Sequence, residues 1–368
     1  MKKFGAVGAA IACVLAVLTF DGAPAATAVP VAGDNTAALQ ARFDQLRPGD
    51  TLNLEPGTYQ HGGMLYIRAS GVQINGNGAT LEATNPGTAA LVIHGDNVAL
   101  SNLNLIAPVG LPRQDGTNQT MLVFGGTGVT VSGVNITGGS SAGMYVPNAS
   151  NFRIENVTIR DTAADGIQLT AGSNNGQVNN VTTEGTGDDG IAVVSHTFGP
   201  AVGMCHDIVI NSPRVLSNRQ ARGLVVVGGE RITFNDINVS NTSAAGVFIG
   251  SQATFATGSV RGVTVNGGVI TAANFTAFPM GAVTVYSGTP GQTVADVTVS
   301  NLAITDTQPV AGQNIGVGTA GGTLSNINFR DIAIQQAGDL PVLKTLDAPR
   351  ETYTATGITL NGAPYTAP

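Results

Sequence analysis

The chain has 368 residues, of which 42% are hydrophobic and 11% are charged, and it contains 50 glycines and no tryptophan. This composition is too apolar for a disordered chain and is typical of an all-β protein with many tight turns. The formal net charge is −7 and the sequence has no basic patch, which argues against a nucleic-acid-binding function.

The first 28 residues are typical of a secretory signal peptide. Two lysines follow the first methionine, Phe4–Phe20 is apolar, and small residues come next. We expect cleavage after Ala28, with Ala25 as the alternative, leaving a single domain over residues 29–368 without a transmembrane segment. The protein is therefore expected to be secreted or held in the cell envelope. Cys205 is then the only cysteine, so no intrachain disulfide is expected.

One clear amphipathic helix is predicted shortly after the signal peptide. Asn35 or Asp34 is its expected N-cap, and Leu39, Phe43 and Leu46 fall on one face. A helix at this position would cover the open first coil of a repeat protein, which otherwise exposes backbone groups and core side chains.

Seven short segments repeat a turn residue followed by alternating apolar residues. They begin at Asn102, Gly133, Asn156, Asn180, Asp236, Asn301 and Asp331. Asn, Asp and Gly tolerate the left-handed backbone of a sharp bend, and Asn side chains can hydrogen-bond from one repeat to the next. The alternation is typical of half-buried strands, and a repeat of this length indicates a solenoid. Short strands, frequent turns and little helix select a parallel β-helix.

Five copies of a glycine frame mark successive turns of this solenoid. The glycines lie at positions 143, 166, 190, 223 and 246, with spacings of 23, 24, 33 and 23 residues. If each frame is one turn, the residues before the glycines form a stack. In chain order this stack is Ala142, Asp165, Asp189, Arg222 and Ala245, with Asp188 beside it. Two acids and an arginine on adjacent turns indicate a site.

Stacked aspartates are unfavourable unless something compensates them. Coils about 4.8 Å apart would place Asp165 and Asp189 roughly 5 Å apart, where their repulsion is about 3 kcal/mol at an effective dielectric of about 20. The stack therefore needs a shared proton, a cation or Arg222. Carboxylates around one point can supply the acid and base for glycosidic cleavage, or they can hold Ca²⁺. The alternative is an exposed surface ladder neutralised by Arg222.

Two lengthened loops interrupt the repeat, at His196–His206 and Ser251–Ser259. Lengthened loops beside a stack are where solenoids build clefts. Because it starts the first loop, His196 is a candidate acid or base, and an ordinary surface histidine is the alternative.

The residues two positions after each glycine are expected to face outward. Among them, Tyr145, Gln168 and Phe248 are candidate substrate-binding residues, and the two aromatic rings are candidate platforms for stacking sugars. Ordinary surface side chains are the alternative.

Several segments carry a resemblance to a known superfamily. Asn35–Gln40 followed by Leu54–Tyr59 is similar to an N-terminal helix and first coil, Asp161–Gly166 ends in Asp-Gly, and Gly187–Ala192 contains Gly-Asp-Asp. In these features the chain resembles the pectate-lyase-like β-helix superfamily and, within it, the polygalacturonases. These enzymes carry Asn-Thr-Asp-Gly and Gly-Asp-Asp on successive coils, and the second motif is the closer match.

This resemblance implies a right-handed parallel β-helix that hydrolyses a glycosidic bond. It implies that Asp188 is the general acid and that Asp165 and Asp189 activate water for inverting attack. Later motifs depart from the family: Arg222 stands where the family has the histidine of Gly-His-Gly, and Phe248 and Gly250 replace the Arg and Lys of its Arg-Ile-Lys strand. Because those cations hold the substrate carboxylate, polygalacturonate is an unlikely substrate and a more neutral extracellular or cell-wall glycan is expected.

Two alternatives to the hydrolase stay open at the level of the sequence. The first is a Ca²⁺-dependent polysaccharide lyase with Arg222 as its base, whereas the hydrolase needs no cofactor. The second is a non-catalytic glycan-binding or envelope protein in which the acids are vestigial.

Overall fold

The computed structural model describes residues 26–199, 201–276 and 278–366. Most of the predicted signal peptide lies outside these residues, but Ala26–Ala28 forms a strand. The Ala28 carbonyl accepts hydrogen bonds from the Tyr59 hydroxyl at 2.7 Å and the Glu55 N–H at 2.8 Å. Cleavage after Ala28 would remove this strand and cleavage after Ala25 would keep it; the signal peptide itself stays a prediction. Within the described part of the chain, no helix has the length and apolar character that a membrane crossing requires.

Short strands dominate the structure. In chain order they are β1 Ala26–Ala28, β2 Thr51–Leu54, β3 Thr58–His61, β4 Leu65–Ile67, β5 Gln73–Asn75, β6 Thr80–Ala83, β7 Leu91–Ile93, β8 Ala99–Ser101, β9 Asn104–Ile106, β10 Leu122–Phe124, β11 Gly126–Thr127, β12 Thr130–Ser132, β13 Asn135–Thr137, β14 Met144–Pro147, β15 Ala149–Ser150, β16 Arg153–Glu155, β17 Thr158–Arg160, β18 Ile167–Thr170, β19 Asn174–Asn179, β20 Thr182–Glu184, β21 Ile191–Val194, β22 His206–Asn211, β23 Arg214–Val215, β24 Leu224–Val227, β25 Gly229–Ser240, β26 Val247–Ser251, β27 Val260–Thr271, β28 Val283–Ser287, β29 Thr293–Thr305, β30 Ile315–Thr319, β31 Thr323–Arg330, β32 Ala333–Gln335, β33 Leu343–Leu346, β34 Tyr353–Thr356, β35 Thr359–Leu360 and β36 Ala363–Pro364. The α-helix α1 spans Thr36–Asp44, and 3₁₀ turns lie at Pro86–Thr88, Thr117–Gln119, Ala253–Phe255, Pro309–Ala311 and Arg350–Thr352.

The strands stack into two parallel layers around one core. Eleven of them form the front sheet, in the order β4, β7, β10, β14, β18, β21, β24, β26, β28, β30, β33; the others form the back sheet. Strands of successive coils pair in parallel, as Ile167 does with Ile191 and Ile191 with Leu224, and only the final pair, β35 with β36, is antiparallel among the described strands. The predicted parallel β-helix is therefore confirmed.

Aliphatic side chains fill the interior in stacked rows. Ile167, Ile191, Leu224 and Val247 occupy one row on successive coils, and each is fully buried. Burying one such side chain contributes about 1.5–3 kcal/mol, so the stacking of coils, rather than any single coil, stabilises the fold.

The predicted turn residues bend the back sheet. All seven have φ between 51° and 60°: Asn102, Gly133, Asn156, Asn180, Asp236, Asn301 and Asp331. The side chain of Asn180 also donates to the Asn156 carboxamide oxygen one coil away, at 3.1 Å. The sequence pattern is thus explained by the left-handed backbone that each corner requires.

Helix α1 closes the first coil, as predicted. Leu39 and Phe43 are buried in the common core, and Asn35 is the N-cap residue. The Gln40 carboxamide accepts from the Tyr66 N–H at 2.8 Å and donates to the Tyr66 carbonyl at 3.0 Å. The helix therefore satisfies backbone groups of β4 at the end of the solenoid.

Candidate functional site

The predicted stack of acids lies along the N-terminal edge of the front sheet. The Gly166 N–H donates to the Asp189 carbonyl at 2.9 Å, and the Gly190 N–H donates to the Arg222 carbonyl at 3.0 Å. These bonds place Asp165, Asp189 and Arg222 on three successive coils. A Cβ at Gly166 would lie 2.5 Å from the Gly190 carbonyl oxygen, so glycine is required for the coils to approach this closely.

Asp189 is held by a bidentate ion pair with Arg222. Its Oδ1 accepts from Arg222 Nε at 3.0 Å and its Oδ2 from Nη2 at 2.8 Å, while the Arg222 backbone N–H also donates to Oδ1 at 2.9 Å. Their side chains are only 6% and 12% exposed. Although burial by itself lowers the pKa of Arg222, pairing with Asp189 raises it above its ordinary value. Burial raises the pKa of Asp189, and Arg222 opposes that rise, so the two form a charged pair.

Asp165 is buried beside this pair, and it forms no ion pair with any of the residues that the structure describes. Its Oδ1 accepts the Asp189 backbone N–H at 3.0 Å. Burial raises the pKa of Asp165 well above its ordinary range, and the negative charges of Asp188 and Asp189 raise it further. Asp165 is thus the carboxyl of this cluster that favours its protonated form.

Asp188 points to the open side of the cluster. Its side chain is 24% exposed, and its Oδ2 pairs with Nη1 of Arg113, which also bonds Asp115 Oδ1 through Nε at 2.8 Å. Arg113 lies in the long connection between β9 and β10, on the same edge as the aspartates. Arg113 was not among the predicted site residues. The feature that could have indicated this long connection is the repeat length, which is 31 residues between Asn104 and Asn135 at this coil.

Together these residues form a compact acidic centre with two arginines. One carboxylate oxygen from each of Asp165, Asp188 and Asp189 lies within 4.8 Å of the others. Arg222 pairs with Asp189 and Arg113 pairs with Asp188, while burial favours the protonated form of Asp165 by raising its pKa. The centre therefore places a carboxyl of raised pKa beside two carboxyls paired with arginines, and such differences between neighbouring carboxyls are what general acid–base catalysis uses.

The residues of this centre do not fit Ca²⁺. The ion takes six to eight oxygen ligands, whereas both oxygens of Asp189 are already bonded to the buried Arg222 guanidinium. Arg222 is likewise unsuited to act as a base, because Asp189 stabilises its protonated form. These contacts remove the two features on which the lyase alternative depended.

The outward-facing row is in register as predicted, but its residues differ in exposure. Tyr145 pairs with Gln168 on the next coil, and both are partly buried, so both stay candidate substrate-binding residues. Phe248 is 1% exposed, so the prediction that it is an open stacking platform is wrong. The Arg222 guanidinium lies over its ring at 4.9 Å, and Met280 packs against the same cluster.

His196 is not near the acidic centre. Asp189 precedes β21 and His196 follows it, so the length of that strand, roughly 10 Å, separates them. The His196 ring bonds the Phe255 carbonyl at 3.0 Å, and Thr197 N–H donates to the Ala256 carbonyl at 2.9 Å. The two predicted lengthened loops thus pair with each other at the opposite edge of the front sheet. The prediction that His196 is a catalytic acid or base is therefore wrong.

The raised pKa of Asp165 predicts a specific dependence of stability on pH. Above the ordinary carboxyl pKa of about 4, the folded protein holds a proton that the unfolded chain releases, so the free energy of unfolding falls as the pH rises toward the raised value. Asp165→Asn removes this pH-dependent contribution to the free energy of unfolding and keeps an oxygen that can accept from the Asp189 N–H. We expect the variant to gain stability relative to the wild type in urea titrations as the pH rises above about 4. Parallel stability curves for the two proteins would contradict the assignment.

Comparisons with known proteins bear on the fold. The family described as "Right handed beta helix region" matches residues 60–202. No curated protein matches the chain. Among solved structures, the catalytic domain of a GH87 α-1,3-glucanase in complex with nigerose aligns with a TM-score of 0.66 and 17% identity, covering 94% of this chain and 68% of that one.

Two further solved structures are similar to this chain in fold. The catalytic unit of a thermostable GH87 α-1,3-glucanase from Streptomyces thermodiastaticus strain HF3-3 has a TM-score of 0.62 and 19% identity over 92% of this chain and 69% of its own. Endo-xylogalacturonan hydrolase from Aspergillus tubingensis has a TM-score of 0.58 and 14% identity, covering 92% of this chain and 100% of its own. Together with the family match, these comparisons confirm the predicted right-handed parallel β-helix.

Several of the α-1,3-glucanase structures are of variants in which one aspartate is replaced by alanine, in complex with nigerose or tetrasaccharides. Two of the replaced aspartates are adjacent in sequence, and the third precedes this pair by 23 residues. Asp165 precedes the pair Asp188–Asp189 by the same number of residues.

Proposed function

We propose that the protein is a polysaccharide-active glycoside hydrolase whose reaction takes place at Asp165, Asp188 and Asp189. The observation that carries the proposal is the convergence of three carboxyls within 4.8 Å of one another, two of them paired with Arg113 and Arg222 and the third, that of Asp165, buried. The equal spacing of the aspartates replaced in sugar complexes of the α-1,3-glucanase supports it. A surface ladder of acids would need neither the burial of Asp165 nor the bidentate pair.

In this proposal the three aspartates have different tasks. Asp188 is the most exposed, so its carboxyl is the one that can reach a glycosidic oxygen and act as the general acid. Asp165 lies within 4.8 Å of it and favours the protonated form, so it can supply the proton that Asp188 delivers. Asp189 stays ionised against Arg222 and can accept a proton from the attacking water. Arg222 is a positioning residue, since its guanidinium contacts Asp189, Gln252 and the Phe248 ring rather than the open side.

The bound sugar must displace Arg113 from Asp188. Arg113 is 45% exposed and comes from a loop, so its release costs little compared with breaking the buried Asp189–Arg222 pair. Once released, its guanidinium can donate to sugar hydroxyls at the same place. Arg113 thus occupies Oδ2 of Asp188 in the free protein and leaves this oxygen open to the glycosidic oxygen in the complex.

We propose a neutral glycan as the substrate at the bond that is cleaved. Arg222 stays paired with Asp189 in the complex, and Phe248 and Gly250 stand where polygalacturonases have cations. The α-1,3-glucanases that share the fold make α-1,3-glucan the first substrate to test. From the predicted signal peptide we propose that this activity takes place outside the cell or in the cell envelope.

The proposal is tested by incubating the protein with α-1,3-glucan, other glucans, xylan and pectins, with and without a chelator. We expect new reducing ends from a neutral glycan, no ultraviolet-absorbing unsaturated product, and no effect of the chelator. An unsaturated product that disappears with the chelator would establish the lyase instead. Binding of a glycan without any product after long incubation would establish a non-catalytic protein.

A further inference from the structure

A hollow of about 320 Å³ opens on the outer face of the last coils of the front sheet. It exists because two glycines face outward there. Gly316 stacks between Thr284 and Lys344, and Gly318 stacks between Tyr286 and Leu346. The missing side chains leave a trough one coil wide between larger neighbours. A Cβ at Gly318 would lie 3.1 Å from the Tyr286 ring and 3.3 Å from Leu346, so larger residues would close it.

The trough has the lining of a sugar site. Tyr286 and Met280 supply a partly buried apolar wall, and Phe248 lies at the end nearest the acidic centre. The carboxamides of Gln252 and Gln313 line the same space. An aromatic surface beside amide groups suits a sugar ring, which has apolar C–H faces and hydroxyl edges.

The trough is lined by one lysine, Lys344. Lys344 is exposed, and it has no ion-pair partner among the described residues. It is also the only lysine after residue 3 in a chain of net charge −7. An unpaired ammonium beside an apolar sugar-sized hollow is complementary to a ligand that carries an anionic group.

The trough is connected to the acidic centre along the sheet. Gln252 and Phe248 line it, and both contact Arg222: its Nη1 donates to Gln252 Oε1 at 2.9 Å, and its guanidinium covers the Phe248 ring. From β21, which follows Asp189, to β33, which carries Lys344, there are five coil steps, or about 24 Å. A single oligosaccharide of several units lying along the sheet can therefore reach both.

We propose that this trough is a second carbohydrate subsite that binds a carboxylate-bearing sugar unit through Lys344, several units away from the bond that is cleaved. This inference rests on the proposed function in taking a glycan as the ligand. It extends the substrate class from a neutral glycan to a mainly neutral glycan with an acidic substituent or branch.

The test compares matched acidic and neutral probes for binding alone. One pair is α-1,3-linked gluco-oligosaccharides with and without partial oxidation of the C6 hydroxymethyl groups to carboxylates. The other is glucuronate-bearing xylo-oligosaccharides before and after reduction of the carboxyl to an alcohol. Calorimetry on the full chain carrying Asp188→Asn excludes turnover. We expect at least one acidic probe to bind about fivefold tighter than its neutral partner at low salt.

Substitutions in the trough test whether Lys344 causes the preference for the acidic probe. Lys344→Met is expected to abolish the preference for the acidic probe and Lys344→Arg to keep it, whereas Tyr286→Ala is expected to weaken both forms. Arg214→Met, which removes an exposed cation on the back sheet, is the matched control and is expected to change nothing. Equal binding of acidic and neutral forms, no binding of any probe, or a preference that survives Lys344→Met would overturn the inference. Failure of the hydrolase would instead appear as absent wild-type turnover while the Lys344-dependent preference persists.

Discussion

Asp188→Asn is expected to lower kcat on the cleaved glycan by about 10²–10⁴-fold. The amide cannot donate a proton to the leaving oxygen as a carboxylic acid does, and it keeps the size of the original side chain. Asp188 is partly exposed and its charge is balanced only by the exposed Arg113, so little stability should be lost. Initial rates of reducing-end release and a thermal unfolding curve, measured on the same preparation, check both parts.

Asp236→Asn provides the control for this substitution. Asp236 is an exposed corner residue of the back sheet with φ of 51°, a conformation that asparagine adopts readily. Its variant should retain wild-type turnover. Wild-type turnover by a folded Asp188→Asn protein would refute the proposed acid and with it the catalytic centre.

Arg222→Met is expected to destabilise the protein by about 3–5 kcal/mol near neutral pH, because it leaves the Asp189 carboxylate buried without its cation. Activity should fall as well, since Asp189 loses its orientation and takes up a proton more readily. Arg222→Lys restores the charge but not the two-point contact, so its stability should lie between those of Arg222→Met and the wild type. Chemical denaturation and kcat measured for all three proteins test the series.

The double variant Asp189→Asn/Arg222→Met separates structure from catalysis. With no charge left to bury, it should recover part of the stability lost in Arg222→Met, while its activity stays low because the carboxylate is gone. If Arg222 were instead the base of an elimination, the wild type would release an unsaturated, ultraviolet-absorbing product and Arg222→Met would abolish its release. That outcome would return the lyase to consideration.

Much of this site could be predicted because a β-helix converts sequence spacing directly into spatial stacking. Asp165, Asp189 and Arg222 each precede the glycine of a frame, and the backbone bonds between coils bring them into one row. The pairing of Asp189 with Arg222 follows from that row, since opposite charges on adjacent coils lie within contact distance. The corner residues were predictable for a similar local reason: Asn156 and Asn180 both adopt the left-handed backbone that a sharp bend requires.

Other features depended on how distant segments cover the sheet. Phe248 is in the predicted outward row but is buried, because Arg222 and Met280 cover it. His196 lies in a predicted lengthened loop, yet that loop leaves the far end of its strand. Periodicity describes the coils and carries no information on which edge an insertion occupies or what it covers.

The sequence by itself therefore determined the parallel β-helix, its capping helix and the row of acids, because these follow from short-range patterns repeated at nearly constant spacing. Only the tertiary structure decided the electrostatics of the centre. Arg113 reaches Asp188 from 75 residues away, and the pKa of Asp165 is raised because its carboxyl is buried close to Asp188 and Asp189. Both effects arise from burial and from contacts between loops of different coils, which no local pattern encodes.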